Sequence, residues 1–136
     1  MTVQPVTTTQ NLTADRSWLA SLHGTDSVDS VTLDMSTFTS GTHYSPSTDT
    51  DIPYSRLLSG LPLGRITASG LYGLYSTAAP DGRQTLTGFV FAEVLFAPTQ
   101  IKVPAALLWH GSVRTAKLPV AVAAVAPSAV CQIRFV

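Results

Sequence analysis

The segment Gly60-Leu61-Pro62-Leu63-Gly64-Arg65-Ile66-Thr67 constrains this chain more than any other. Gly60 and Gly64 are able to take positive φ, and Pro62 fixes its own φ. The segment therefore predicts a turn feeding a strand over residues 63–68, broken by Ser69-Gly70 and Gly73. A second block, Ala106-Leu107-Leu108-Trp109-His110-Gly111-Ser112-Val113, predicts a short apolar helical turn stopped by Gly111, then a new strand from Val113. Pro104 suits the first position of that helix, which would run to Trp109.

Elsewhere the apolar spacing is that of strands. Val31, Leu33 and Met35 alternate with polar residues and predict a half-buried strand near 30–35. Residues 39–51 are polar and loop-like, and Pro53 suits a sheet edge where the chain re-enters structure. Thr85 to Phe96 predicts one long strand, with Phe89, Phe91 and Val94 as core candidates. Pro80-Asp81-Gly82 is a turn signal, because Pro presets φ and Asp-Gly tolerates left-handed geometry. Further strands are expected at 113–118, 120–125 and 129–136, where Cys131, Ile133 and Phe135 share one face. Thr13 to His23 fits a short helix capped by Thr13 and ended by Gly24, or a simple turn, since so short a helix is marginal unless packed. No repeat and no interdomain linker is visible. The expectation is one β-rich domain over 13–136, with one or two short helices, preceded by an arm at 1–12. That arm is Thr-rich and has no local core to join, so a flexible segment able to extend is expected; a tail without a role is the alternative.

Only 12% of the 136 residues are charged while 45% are hydrophobic, against roughly 25% charged in ordinary domains. So little charge predicts a surface partly covered by a partner or by copies of the chain. Zero net charge argues against nonspecific nucleic-acid binding. Up to Asp51 there are six Asp and one base; from Ile52 onward there are two acids and seven bases, so the halves carry −5 and +5. The two halves are expected to pair within one fold. The apolar run from Leu118 to Cys131 is too short to span a bilayer and holds Pro119 and Pro127, so no membrane partner is expected. The first residues show no secretory pattern, and the single cysteine, Cys131, fits a reducing compartment and a buried, inert thiol.

Chemistry is not signalled. No serine sits in a nucleophile elbow, no phosphate loop is present, and nothing in the sequence brings a second carboxylate to Glu93, which either points outward or pairs with a base. His23, His43 and His110 form no short-range metal pair, so no metal site, cofactor or catalytic residue is expected. Trp109 is expected in the core, with an interface anchor as the alternative.

Taken in order, Gly60, Pro62, Leu63 and Gly64 of the first block and Leu107, Leu108, Trp109, His110 and Gly111 of the second resemble a pattern of the head-decoration, or capsid cement, proteins of tailed bacteriophages. This is the family of the lambda head-decoration protein. The resemblance runs from about Arg16 to the C-terminus; this chain is longer than the lambda protein and has an Asp-rich segment of its own. It implies a β-tulip-like fold and a non-enzymatic protein, made in the host cytoplasm and placed on the outer surface of the virion head. Its implied partners are the major capsid protein and itself, as a homotrimer stabilising the expanded head against internal DNA pressure. The arm, through Thr2, Val3, Gln4, Pro5, Val6, Thr7, Thr8, Thr9 and Leu12, would add β-structure to the capsid surface. Another β-rich virion or tail component, or a host-surface binding module, is the alternative.

Overall fold

In Asp29–Asp34 (β1) the apolar residues fall at every second place, so Val31 and Leu33 are buried while Ser30 and Thr32 face outward. The same logic organises a mostly β chain. The computed structural model describes residues 3–5, 14–47 and 54–136. Its further strands are Tyr44–Ser45 (β2), Ser55–Leu57 (β3), Pro62–Arg65 (β4), Tyr72–Leu74 (β5) and Leu86–Val90 (β6). Val94–Phe96 (β7), Lys102–Leu108 (β8), His110–Val113 (β9) and Gln132–Phe135 (β10) complete the series. Strands β1, β5, β4, β6 and β8 close into a small barrel. The barrel is sealed by the antiparallel β1–β8 pairing, in register from Asp29↔Leu107 to Asp34↔Lys102. A three-stranded sheet, β2-β3-β7, and a parallel pair, β9 and β10, flank it.

Two apolar clusters result. One gathers Val31, Leu33, Leu61, Leu63, Val90, Val103 and Leu107; the other gathers Trp18, Leu86, Phe89, Leu108, Val113, Cys131 and Ile133. Leu86 and Phe89 lie three apart on β6, yet join the same cluster. Simple alternation would send them to opposite faces. The register shifts between Leu63↔Gly88 and Gly64↔Leu86, which leaves Thr87 as the extra residue of a bulge. The Thr87 hydroxyl donates to the Leu63 carbonyl at 2.9 Å, satisfying a buried polar group at the irregular step.

Several sequence expectations are corrected. Of the two readings of residues 13–23 the turn, not the helix, is observed: residues 14–23 hold turns and one bridge, Leu19↔Val113; Thr13 lies outside the described residues. The helix expected from Pro104 to Trp109 is strand β8. Pro104 stands opposite Thr32, while β6 meets β8 further along, at Leu107 and Leu108, so the proline sits where one side of the strand is open. The long strand over 85–96 is split at Phe91-Ala92-Glu93, and the strand expected over 113–118 ends at Val113 and gives way to a single 3-10 turn, Thr115–Lys117. Residues 120–125 join no strand ladder and lie between two prolines, Pro119 and Pro127. The chain bends at Pro80-Asp81-Gly82, with Gly82 at φ 114°, and the hydrogen-bonded turn follows at 82–85, where the Thr85 N–H bonds the Gly82 carbonyl at 3.3 Å. The strand expected over 63–68 spans Pro62–Arg65.

Gly60 has φ 82°, as its turn requires, but Gly64 is not in the left-handed region. Its role is closeness: a Cβ there would lie 2.6 Å from the Arg83 Cα and 2.7 Å from its carbonyl oxygen. Both are backbone atoms and cannot swing aside. Gly64→Ala is therefore expected to cost about 1–3 kcal/mol, the usual range for overpacking. Denaturant unfolding checks this, and a loss within measurement error would contradict the close approach.

Candidate functional site

The turn before β4 sets the geometry of the N-terminal root. The Gly60 N–H bonds the Val90 carbonyl at 2.7 Å, and the Trp18 indole lies against the glycine, with ring atoms 3.0 Å from where a Cβ would sit. Trp18 is 1% exposed. Its Nε1–H donates to the Ser59 hydroxyl at 3.2 Å. The Ser59 oxygen is in turn 2.6 Å from the Asp15 carbonyl and 3.1 Å from Glu93 Oε1. One hydroxyl proton serves one acceptor at a time. The Glu93 carboxylate also accepts from the Asp15 N–H at 2.8 Å and from Arg16 Nη1 at 2.9 Å. The Arg16 guanidinium lies over the Phe91 ring, 5.2 Å from its centre. Further bonds, Arg114 N–H to the Trp18 carbonyl at 2.7 Å and Ala20 N–H to the Ser112 carbonyl at 3.0 Å, fasten this root along β9.

The kink at residues 91–93 explains why one expected strand is two: it turns Glu93 toward Asp15 and Arg16. Of the two sequence readings of Glu93, pairing with a base is the one observed. Two ion pairs are seen among the described residues, which do not include Asp49 and Asp51. Arg16–Glu93 joins the single base of the first half to an acid of the second, and Arg83–Asp81 lies within the second half. Neither uses an Asp of the first half. Burial pushes the Glu93 carboxyl up, but the hydrogen bonds from Arg16 and from the Asp15 amide outweigh it and hold the group below the usual carboxylate range.

The residues singled out from sequence divide sharply. Gly60, Pro62, Leu63 and Gly64 come beside Leu107 and Leu108 through β6, in the register Pro62↔Phe89↔Leu108. All of these are buried and build the interior rather than a surface. Trp109 joins β8 to β9, is partly buried against the first cluster, and donates its indole N–H to the Ser27 carbonyl at 2.8 Å. His110 and Gly111 lie in β9, not at a helix end. Of the arm, Val3, Gln4 and Pro5 are exposed coil. Thr2, Val6, Thr7, Thr8, Thr9 and Leu12 lie outside the described residues.

An exposed apolar surface takes in the segment 120–125, where a strand was expected. From Pro119 to Val130 every residue except Val120 and Val122 is exposed, although nearly all are apolar. Those two valines staple the segment to the two clusters, one to each. An open cleft of about 810 Å³ adjoins it, walled by Val125, Pro127, Ile133 and Phe135. Apolar stretches this continuous on small soluble domains commonly mark interaction surfaces. Cys131, just beyond, is buried, and burial pushes its thiol pKa up, so the thiol is inert. No helix among the described residues is long and apolar enough to cross a membrane. Compared with protein-family models, curated proteins and solved structures, the chain matches none.

The carboxylate anchor makes a pH-dependent prediction. A carboxyl whose folded pKa is depressed adds stability above its ordinary pKa and loses it as pH falls through the folded value. Glu93→Gln is therefore expected to cost about 1–2 kcal/mol at neutral pH, a figure discounted because solvent reaches Arg16. The gap between the two proteins should close as pH drops below the ordinary carboxylate range. Urea unfolding across pH checks this; a gap that stays constant into acid would show that the Glu93 charge does not matter.

Proposed function

We propose that this chain is a capsid decoration protein of a tailed bacteriophage, binding the outside of the expanded head as a homotrimer and stabilising it. The observation that carries the reading is the exposed apolar stretch from Pro119 to Val130 on a chain with only 12% charged residues. A surface of that kind is suited to being covered by a partner or by copies of the same chain. The family resemblance supplies the partner's identity, the major capsid protein. Two further features support it. The blocks that carry the resemblance lie on strands joined through β6, so they act as one structural unit. The N-terminal arm leaves from a root held by Trp18, Ser59 and Glu93, so a pull on the arm would be transmitted to the domain.

In this reading the protein supplies binding free energy and no chemistry. A ligand that binds the assembled shell but not its dissociated parts stabilises the shell, by about 2.7 kcal/mol per site at a hundredfold excess over Kd. Three arms on one trimer raise the effective concentration of each, so weak contacts add to firm attachment. The proposed localisation is the virion surface, without membrane or nucleic-acid contact.

Two outcomes test it. Deleting residues 2–12 should leave the unfolding midpoint unchanged and weaken co-sedimentation with expanded heads; unchanged co-sedimentation would remove the arm's role. Decorated heads should release DNA at a higher temperature than bare heads. Superimposable release curves at saturating protein would overturn the stabilising function and favour a host-surface or tail component.

A further inference from the structure

Two histidines far apart in sequence meet in the fold. His23 lies in the turn before β1 and His110 opens β9, and their Nε2 atoms are 3.3 Å apart. The rings approach edge to face, with centres 4.6 Å apart and planes at 78°. We propose that this pair is a divalent transition-metal site, with zinc as its representative ion and water completing the coordination. Two imidazole nitrogens bound to one tetrahedral zinc, each at about 2.0–2.1 Å, stand roughly 3.3–3.4 Å from each other. The observed separation already has that value. Imidazole pairs also accept nickel and copper, with copper bound most tightly.

The pair is held in place by backbone, not by side-chain chance. Gly24 has φ 82°, and a Cβ there would lie 2.1 Å from the His110 carbonyl oxygen. A Cβ at Gly111 would lie 2.8 Å from the His23 carbonyl oxygen. The two segments therefore pack backbone to backbone beside the histidines. The turn is closed by Thr25, whose N–H and hydroxyl both donate to the Leu22 carbonyl, at 3.2 and 2.7 Å. The His110 ring stacks on Trp109, 5.5 Å between centres and 28° between planes, and Trp109 is tied to Ser27. Ligands fixed in advance lose little freedom on binding metal.

His23 is exposed and His110 half-buried, so an ion has a path in. Among the described residues no cluster of three or more His, Cys, Asp or Glu is gathered, so protein supplies two ligands and the remaining positions stay open. Cys131 does not compete, because it is buried with its thiol pKa raised. Bound metal would clamp the turn at residues 22–25 to the β8–β9 joint and stabilise the fold by mass action. This inference concerns the free chain and stands whether or not the protein decorates a capsid.

The competing account is a plain ring N–H···N hydrogen bond between neutral imidazoles. Calorimetric titration of the chelator-stripped full chain with zinc distinguishes the two. One zinc per chain is expected, together with a raised unfolding temperature. Loss of an outer-shell partner costs about 10–100-fold in metal affinity, so His23→Gln and His110→Gln should each cost at least that. A second readout needs no variant: copper should quench the fluorescence of Trp109, whose ring stacks on His110, and a chelator should restore it. Absence of heat and of quenching at millimolar metal would overturn the site. So would histidine variants that bind as tightly as the parent.

Discussion

Burial of β6 on both faces, beside the Leu107–Leu108 end of β8, is the constraint on which the rest depends. Leu107 and Leu108 are neighbours on β8, yet each ends in a different apolar cluster. Across from them Val90 and Phe89 do the same on β6. The two strands are thus a shared wall, and the clusters on either side are not independent. The wall is tightly built: a Cβ at Gly88 would lie 2.3 Å from the Leu108 carbonyl oxygen. The bulge at Thr87 lets Leu86 return to the Phe89 side and so fills the second cluster, on which Trp18 and Ile133 close from the two ends of the chain.

That wall accounts for what was legible in the sequence. Alternation in Asp29–Asp34 is local, because this strand buries one face, and the chain's mostly β character follows from such segments and from the glycines and prolines that divide them. The run Ala105-Ala106-Leu107-Leu108-Trp109 reads as a helical turn because a strand buried on both faces loses its period of two. Its true state depends on partners at Asp29–Asp34 and Leu86–Val90, which local pattern does not specify. The stretch at 120–125 misleads in the other direction. Its valines and alanines read like a strand, but it pairs with no strand among the described residues, and Val120 and Val122 instead pin it to the two clusters. Gly64 was legible as important but not for its reason, which is the passage of the Arg83 backbone.

The candidate surfaces were less legible than the fold. The Arg16–Glu93–Ser59 anchor joins residues up to 77 positions apart, and the His23–His110 contact spans 87. No spacing rule reaches across such distances. The motif residues were visible because apolar and glycine-rich segments stand out, and they proved to be architecture. Function, in the reading offered here, belongs instead to what that architecture displays: a rooted arm at one place and an unladdered apolar ribbon at another. Both features use few charges, consistent with a chain whose surface is completed by partners.

The central claim is that the ribbon from Pro119 to Val130 is the surface a partner covers. Hydrogen–deuterium exchange on the free chain and on the chain bound to expanded heads tests it directly. Amides from Val120 to Ala126 belong to no strand ladder in the free protein, so they should exchange quickly there and become protected on the head, while those of β6 and β8 stay protected in both. Equal, fast exchange of the ribbon in free and head-bound protein would contradict the claim.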